Sequence, residues 1–294
     1  MPSKKHSKVV VGMFLIAAYI CGGCQSAHET LSLNRATVVQ PVSAETPEAK
    51  PVFRDGRVAV ENVNFTFDPR FIERVEFSAT PPYKLEEEEI KPDGVGGRTL
   101  QFDLKYHNPE DQGQILVFKI AEYKDAFAKF PHYLENRDKK FESLLSGGTP
   151  IKTWGIEEPM HMRWMDAHHD FYAKAQTVDF DGGRGLLMLT EIGQDAYSVI
   201  NNQQLEYFFQ GLSKDGVYFV EMRFPANMRG LPVDGSLESA EQYNLPKDFY
   251  DSKHQALFNK YATKVAKEID SAPDDSFEPS PTSIRSFLRS FKIS

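Results

Sequence analysis

The chain has 294 residues, a formal net charge of −8 and 40% hydrophobic residues. That acidic balance argues against nucleic acid as a partner and against attachment to a membrane surface by charge alone. Cys21 and Cys24 are its only cysteines, so the remainder of the chain offers no disulfide, no cysteine-ligated metal and no cysteine nucleophile.

The N-terminus has the pattern of an export signal. Lys4, Lys5 and Lys8 form a basic start with no acidic neighbour, and Val9 to Ile20 is an apolar run of twelve residues. That length suits the core of a signal peptide and is short for a membrane span. The run ends in Ile20-Cys21-Gly22-Gly23-Cys24, which resembles the lipobox of bacterial lipoproteins. Cys21 stands where that pattern usually has an aliphatic residue. The resemblance implies that residues 1–23 are a signal peptide and that the Cys24 thiol carries a diacylglycerol. Acyl chains contribute ~0.8 kcal/mol per buried CH₂, and two or more chains make a lasting anchor. Loss of 1–23 removes three lysines and no acid, taking the net charge from −8 to −11. Gln25, and not an aspartate, follows Cys24; in a host with two membranes the pattern resembles that of a protein passed to the outer one.

Residues 24–57 include "SAETPEAKPVFRDG", rich in Ala, Thr, Glu and Pro and without amphipathic period. Such a stretch buries too little apolar surface to offset its ordering entropy. It is expected to be a flexible tether with a reach of about 30 Å.

Residues 58–294 show neither an internal repeat nor a break in composition, and are expected to form a single domain. Strand patterns recur along it. Val63, Phe65 and Phe67 alternate with polar residues, as do Leu100, Phe102, Leu104 and Tyr106. "QILVFKI" reads as a central strand, and "FYAKAQTVDF" and "RGLLMLTEI" flank the turn Asp181-Gly182-Gly183. In "LEYFFQGLSKDGVYFVEMRFP", Tyr218, Val220, Met222 and Phe224 share one face of a strand. Leu205, Tyr207 and Phe209 share one face of its partner, and Ser213-Lys214-Asp215-Gly216 turns the chain. These aromatics are expected to face the core.

Two helices are expected. One follows Pro131, with Leu134, Phe141, Leu144 and Leu145 on one face and Gly147-Gly148 as its stop. The other runs from Tyr250 through Phe258, Tyr261 and Val265 to Ile269. Ile284, Phe287, Leu288 and Phe291 repeat the helical spacing near the end. Hairpins mixed with helices, without regular β-α alternation, indicate the α+β class, an antiparallel sheet of hairpins packed with helices. The element order is similar to that of the αβα sandwich of PsbP-type proteins.

"VNFTFDPRF", "QILVFKIAEY", "FYAKAQTVDFDGGRGLLMLTEIGQD" and "INNQQLEYFFQGLSKDGVYFVEMRFP" resemble an uncharacterised family of exported bacterial proteins, over roughly Val60 to Pro232. The resemblance implies a domain type and no chemistry.

Residues capable of chemistry are few. In "HMRWMDAHHD", Asp166, His168, His169 and Asp170 are metal-capable, yet no His-Glu-x-x-His or comparable spacing appears. A polar loop would explain the segment as well. Gln194, Asn201, Asn202, Gln203 and Gln204 form an amide-rich cluster; amides offer donor and acceptor together, which suits sugar or peptide ligands and also loop capping. "GVGGR" at Gly94–Arg98 lacks the lysine and hydroxyl of a phosphate loop, and Glu86–Glu89 reads as a solvated face. No cofactor and no catalytic residue is indicated. The expected function is therefore a lipid-anchored envelope protein whose non-catalytic domain binds an unidentified protein or polymer of the envelope. The alternative is a hydrolase acting on an envelope polymer.

Overall fold

The computed structural model describes residues 51–82, 97–128, 137–148, 151–156, 163, 167–193, 198–249 and 251–294. Its strands, in chain order, are β1 Val52–Phe53, β2 Arg57–Val60, β3 Val63–Thr66, β4 Ile72–Thr80, β5 Thr99–Tyr106, β6 Gln112–Lys119, β7 His168–Phe180, β8 Gly183–Gly193, β9 Glu206–Ser213, β10 Tyr218–Pro225, β11 Asn227–Met228, β12 Phe277–Glu278 and β13 Lys292–Ile293. Its helices are α1 Ile120–Ala126, α2 Arg137–Leu145, α3 Leu237–Gln242, α4 Gln255–Ser271 and α5 Pro281–Ser290. Eight strands form one sheet in the order β1-β4-β5-β6-β10-β9-β8-β7. Every neighbouring pair in it is antiparallel. Two meanders, β4-β5-β6 and β7-β8-β9-β10, meet where β6 pairs with β10.

The strand alternation of the sequence is the burial pattern of this sheet. In the hairpin β9–β10, Phe224 pairs with Tyr207 and Met222 with Phe209. Val220, Met222, Phe224, Tyr207 and Phe209 belong to one buried cluster, together with Phe258, Val265 and Ile269 of α4 and Ile284 and Leu288 of α5. Phe208 and Phe219, which point the other way, belong to a second cluster with Tyr123 of α1 and Phe141 and Leu145 of α2. The sheet is thus covered by helices on both faces, and the aromatics of the hairpin are core. Gly216 closes the turn at φ +69°, a conformation that penalises any residue with a Cβ. A small sheet β13-β3-β2 adds Val58, Val63 and Phe65 to the first cluster.

The helices follow their apolar stripes. α4 buries Phe258, Tyr261, Ala262, Val265, Ala266 and Ile269. α5 starts at Pro281 after Ser280, whose Oγ accepts from the Ser283 amide at 3.2 Å. α2 ends as expected at Gly147, at φ +81°; its expected first turn, including Leu134, lies outside the described residues. α4 docks through an irregularity in β7. The register shifts between Ala173 and Gln176, and Lys174 sits at φ +50°. Its amide donates to Asp270 Oδ1 at 2.9 Å, and its Nζ donates to the Ala272 carbonyl at 2.7 Å, at the C-terminal end of α4. That placement satisfies a carbonyl the helix leaves open and puts a cation at its negative end. Among the described residues no helix is long and apolar enough to cross a membrane.

Three local expectations change. Ile120, read as the end of the "QILVFKI" strand, opens α1, while its amide still bonds the Val217 carbonyl at 3.0 Å. α1 and α3 are too short for helical periodicity to show them in the sequence. Val52, Phe53 and Arg57, read as tether, lie in strands: Val52 pairs with Glu76, Phe53 with Val75, and Arg57 with Thr66. Two residues are too few for alternation to reveal β1; only its partner β4 makes it a strand.

Candidate functional site

The segment His168–Asp170 opens β7 and is a strand, not a loop. A register shift between His169 and Phe171 leaves Asp170 as an extra residue, a bulge that re-aims the side chains around it. His169 turns to the α1/α2 face. Its Nδ1 lies 2.9 Å from Thr190 Oγ1, and its ring meets the edge of Phe208 at a centroid distance of 5.0 Å. His168 instead stands beside Asp170, Nε2 to Oδ1 at 2.9 Å. The expected metal set is therefore divided between two sides of the strand. Asp166 lies outside the described residues, and among those described no group of three or more His, Cys, Asp or Glu could hold a metal ion.

Near enough to Asp170 to feel its charge is a second carboxylate that the sequence did not single out. Glu191 of β8 lies opposite Phe171 and is fully buried, and Asp170 is only 3% exposed. Ser198 donates to Glu191 Oε1 at 2.5 Å, while Glu191 Oε2 and Asp170 Oδ2 accept no hydrogen bond. Burial pushes Asp170 up to about 6, against the pull of His168. Burial likewise pushes Glu191 up to about 8; the Ser198 bond opposes this and the neighbouring Asp170 charge adds to it. Gly193 leaves room for the Asp170 carboxylate, since a Cβ there would stand 3.1 Å from Oδ2.

The amide cluster is occupied in holding loops. Asn201 is buried; its Nδ2 donates to the Val199 carbonyl and Gln204 Oε1, and its Oδ1 accepts from the Gln203 and Gln204 amides. Asn202 donates to the Met228 and Leu231 carbonyls and accepts from the Met228 amide at 2.7 Å. The Asn201 side chain thus braces loop 198–204 from within, and that of Asn202 clamps the loop to 226–233. Gln204 Oε1 likewise accepts from Asn201 Nδ2 at 2.7 Å. Gln194 lies outside the described residues.

A groove of about 550 Å³ lies elsewhere, between the β3–β4 connection and α5. Phe67, Ile72, Phe224 and Ile284 form its buried floor, with Phe71, Tyr106 and Phe287 as walls. Phe287 stands edge-on to Phe224 at 5.0 Å. Phe71 is 43% exposed. Thr282, Ser283 and Ser286 of α5, with Arg70 and Asp68 opposite, supply a polar rim. Arg70 and Asp68 pair with each other at 2.6 Å. A volume of ~300–1,000 Å³, apolar walls and a few polar groups are the usual features of a small-molecule site.

No family model matches this chain, and no curated protein matches it. The groove and the Asp170–Glu191 pair were both missed by sequence reasoning. Phe71 and Phe287 carry ordinary strand-end and helix-stripe signals, and they meet only because α5 packs 200 residues downstream against β3. Glu191 sits in an apolar run, "LLMLTEI", and an acid on the core-facing side of that alternation is the one signal that could have found it.

Proposed function

We propose that this chain is a lipid-anchored cell-envelope protein, held through Cys24, whose folded body is a non-catalytic module binding a small amphiphilic molecule of the envelope. The observation that carries the binding reading is the aromatic groove beside α5, with an exposed Phe71, buried aromatics beneath and a rim of hydroxyls. An amphiphile satisfies both parts: its apolar portion covers Phe71 and Phe287, and its polar end meets the rim. The basic start, the short apolar run and Gly22-Gly23-Cys24 support the anchor, and the resemblance to exported bacterial proteins supports the compartment.

The test is direct titration of the full chain with an apolar naphthylamine probe, followed by displacement with envelope lipid extract. Ser286 is exposed on the groove side of α5, so Ser286→Trp fills the groove without entering the core. Probe binding is expected in the wild-type chain and lost in Ser286→Trp, with the melting temperature unchanged. Equal binding by both would sink the groove reading. The anchor is tested separately: Cys24→Ser is expected to release the protein from membranes, whereas Cys21→Ser is not.

A further inference from the structure

We infer that Asp170 and Glu191 form a proton-held latch that fastens the 198–204 loop onto the sheet and loosens it as pH rises. The latch is built from position. Glu191 is fully buried at the end of β8, and one of its oxygens is taken by Ser198 at the start of the loop. The Asn201 amide approaches the same carboxylate. The preceding amide, that of Ile200, donates to the Tyr261 hydroxyl of α4 at 3.0 Å. The loop is therefore seated on Glu191 at one point and on α4 at the next.

Among the described residues, the charges around Glu191 do not neutralise it. From β7 comes Asp170, a second carboxylate, which stands beside the His168 imidazole, Nε2 to Oδ1 at 2.9 Å. From β9 comes Glu206, which is already engaged by Arg223 of β10 at 2.9 Å. From α4 comes Tyr261, a neutral phenol whose own ionisation burial suppresses. The loop itself contributes only the neutral Ser198, Asn201 and Gln204. Two buried carboxylates, each with an oxygen that accepts no hydrogen bond, cannot both carry charge cheaply in this setting. A proton on the pair removes one of the like charges; its loss leaves an uncompensated anion under the loop, and hydration of that anion requires the loop to lift.

The direction of the pH effect follows. Burial raises both groups above their ordinary range, to about 6 and about 8, so the folded state binds more protons than the unfolded chain between the ordinary carboxylate range and those values. Folding is then most favoured at low pH, and this contribution is lost as pH rises through about 6 and then about 8.

Carboxyl-carbon NMR of the full chain, with amide shifts of residues 198–204, tests the latch. Glu191 is expected to titrate near neutrality or above, and the Ile200 and Asn201 amides are expected to shift with the same midpoint. In Glu191→Gln the loop amides should no longer respond over that range, and the melting temperature should lose most of its decline between about pH 5 and 8. Asp170→Asn should move the Glu191 midpoint down, because the neighbouring charge is gone. A Glu191 titration that leaves the loop amides still, or a Glu191→Gln protein whose loop responds as before, would overturn the latch. So would a Glu191→Gln protein that is less stable at every pH with an unchanged pH dependence, since Glu191 would then be a purely structural contact.

Discussion

Arg163 and Glu221 form a two-pronged ion pair inside the protein, Nε to Oε2 at 2.9 Å and Nη2 to Oε1 at 2.8 Å. The two side chains are 7% and 1% exposed. Glu221 lies on β10 beside Gln210 of β9, so the Arg163 side chain is fixed at the middle of the sheet. Breaking a buried ion pair by removing one partner costs ~3–5 kcal/mol. Arg163→Ala is expected to destabilise by that amount in urea melts. The double variant Arg163→Met with Glu221→Met should recover much of the loss, because both charges of the pair are then gone. A double variant less stable than either single one would show that the pair itself, and not the avoidance of an orphan charge, stabilises the fold.

The hairpin core makes a second test. Val220 is fully buried and pairs with Val117 of β6 and Gly211 of β9. Val220→Asp buries an unpaired carboxylate and is expected to prevent folding at moderate temperature. Phe224→Ala should cost ~3–5 kcal/mol and also enlarge the groove that Phe224 floors. Lys214→Ala, exposed in the turn, should leave the melting temperature nearly unchanged. Thermal melts of the three variants check the order.

Gly216 offers a sharper comparison within the same turn. A Cβ at this position would meet no atom within 4 Å, yet φ is +69°. Gly216→Val is therefore expected to destabilise through backbone strain alone, by ~1–3 kcal/mol. Gly216→Asn should cost less, because asparagine tolerates the left-handed region. Equal melting temperatures for the two would remove strain as the cause.

The N-terminal boundary is testable by truncation. A chain beginning at Asp55 loses the pairs Val52–Glu76 and Phe53–Val75 and the bond from the Phe77 amide to the Pro51 carbonyl at 3.0 Å. It also loses Phe53, which packs on the core. The cost relative to a chain beginning at Pro51 is expected to be about 1–3 kcal/mol, from apolar burial and lost sheet bonds. Identical denaturation midpoints would return Val52 and Phe53 to the tether.

Asn202 is predicted to act as a clamp and not as a ligand group. Its side chain makes three bonds to the 228–231 backbone. Asn202→Ala should lower stability by about 1–3 kcal/mol, since it leaves partly buried backbone groups without partners. It should leave probe binding in the groove unaltered. Loss of binding at unchanged stability would reverse that assignment.

The sequence by itself determined the class and several of the strands. Alternation at Val63–Phe67, Leu100–Tyr106 and Tyr218–Phe224 specifies which residues point to a core, because period-two geometry allows only one buried face to collect them. Gly147, Gly182 and Gly216 mark stops and turns because their backbones take a conformation that side chains disfavour. Helical stripes in α4 and α5 are legible for the same local reason. Tertiary structure alone decided everything that depends on which surfaces meet. The strand order, with β6 joined to β10, is a choice among pairings that local pattern leaves open. β1 exists only because β4 offers an edge. The bulge at Asp170 sends His168 and His169 to different sides, so adjacent metal-capable residues form no common site. The groove draws Phe71 and Phe287 together across the chain, and Glu191 acquires its raised pKa from the burial and the neighbouring Asp170 that folding imposes. Local periodicity records how each residue sits on its own element; distance, desolvation and charge coupling arise only when elements pack.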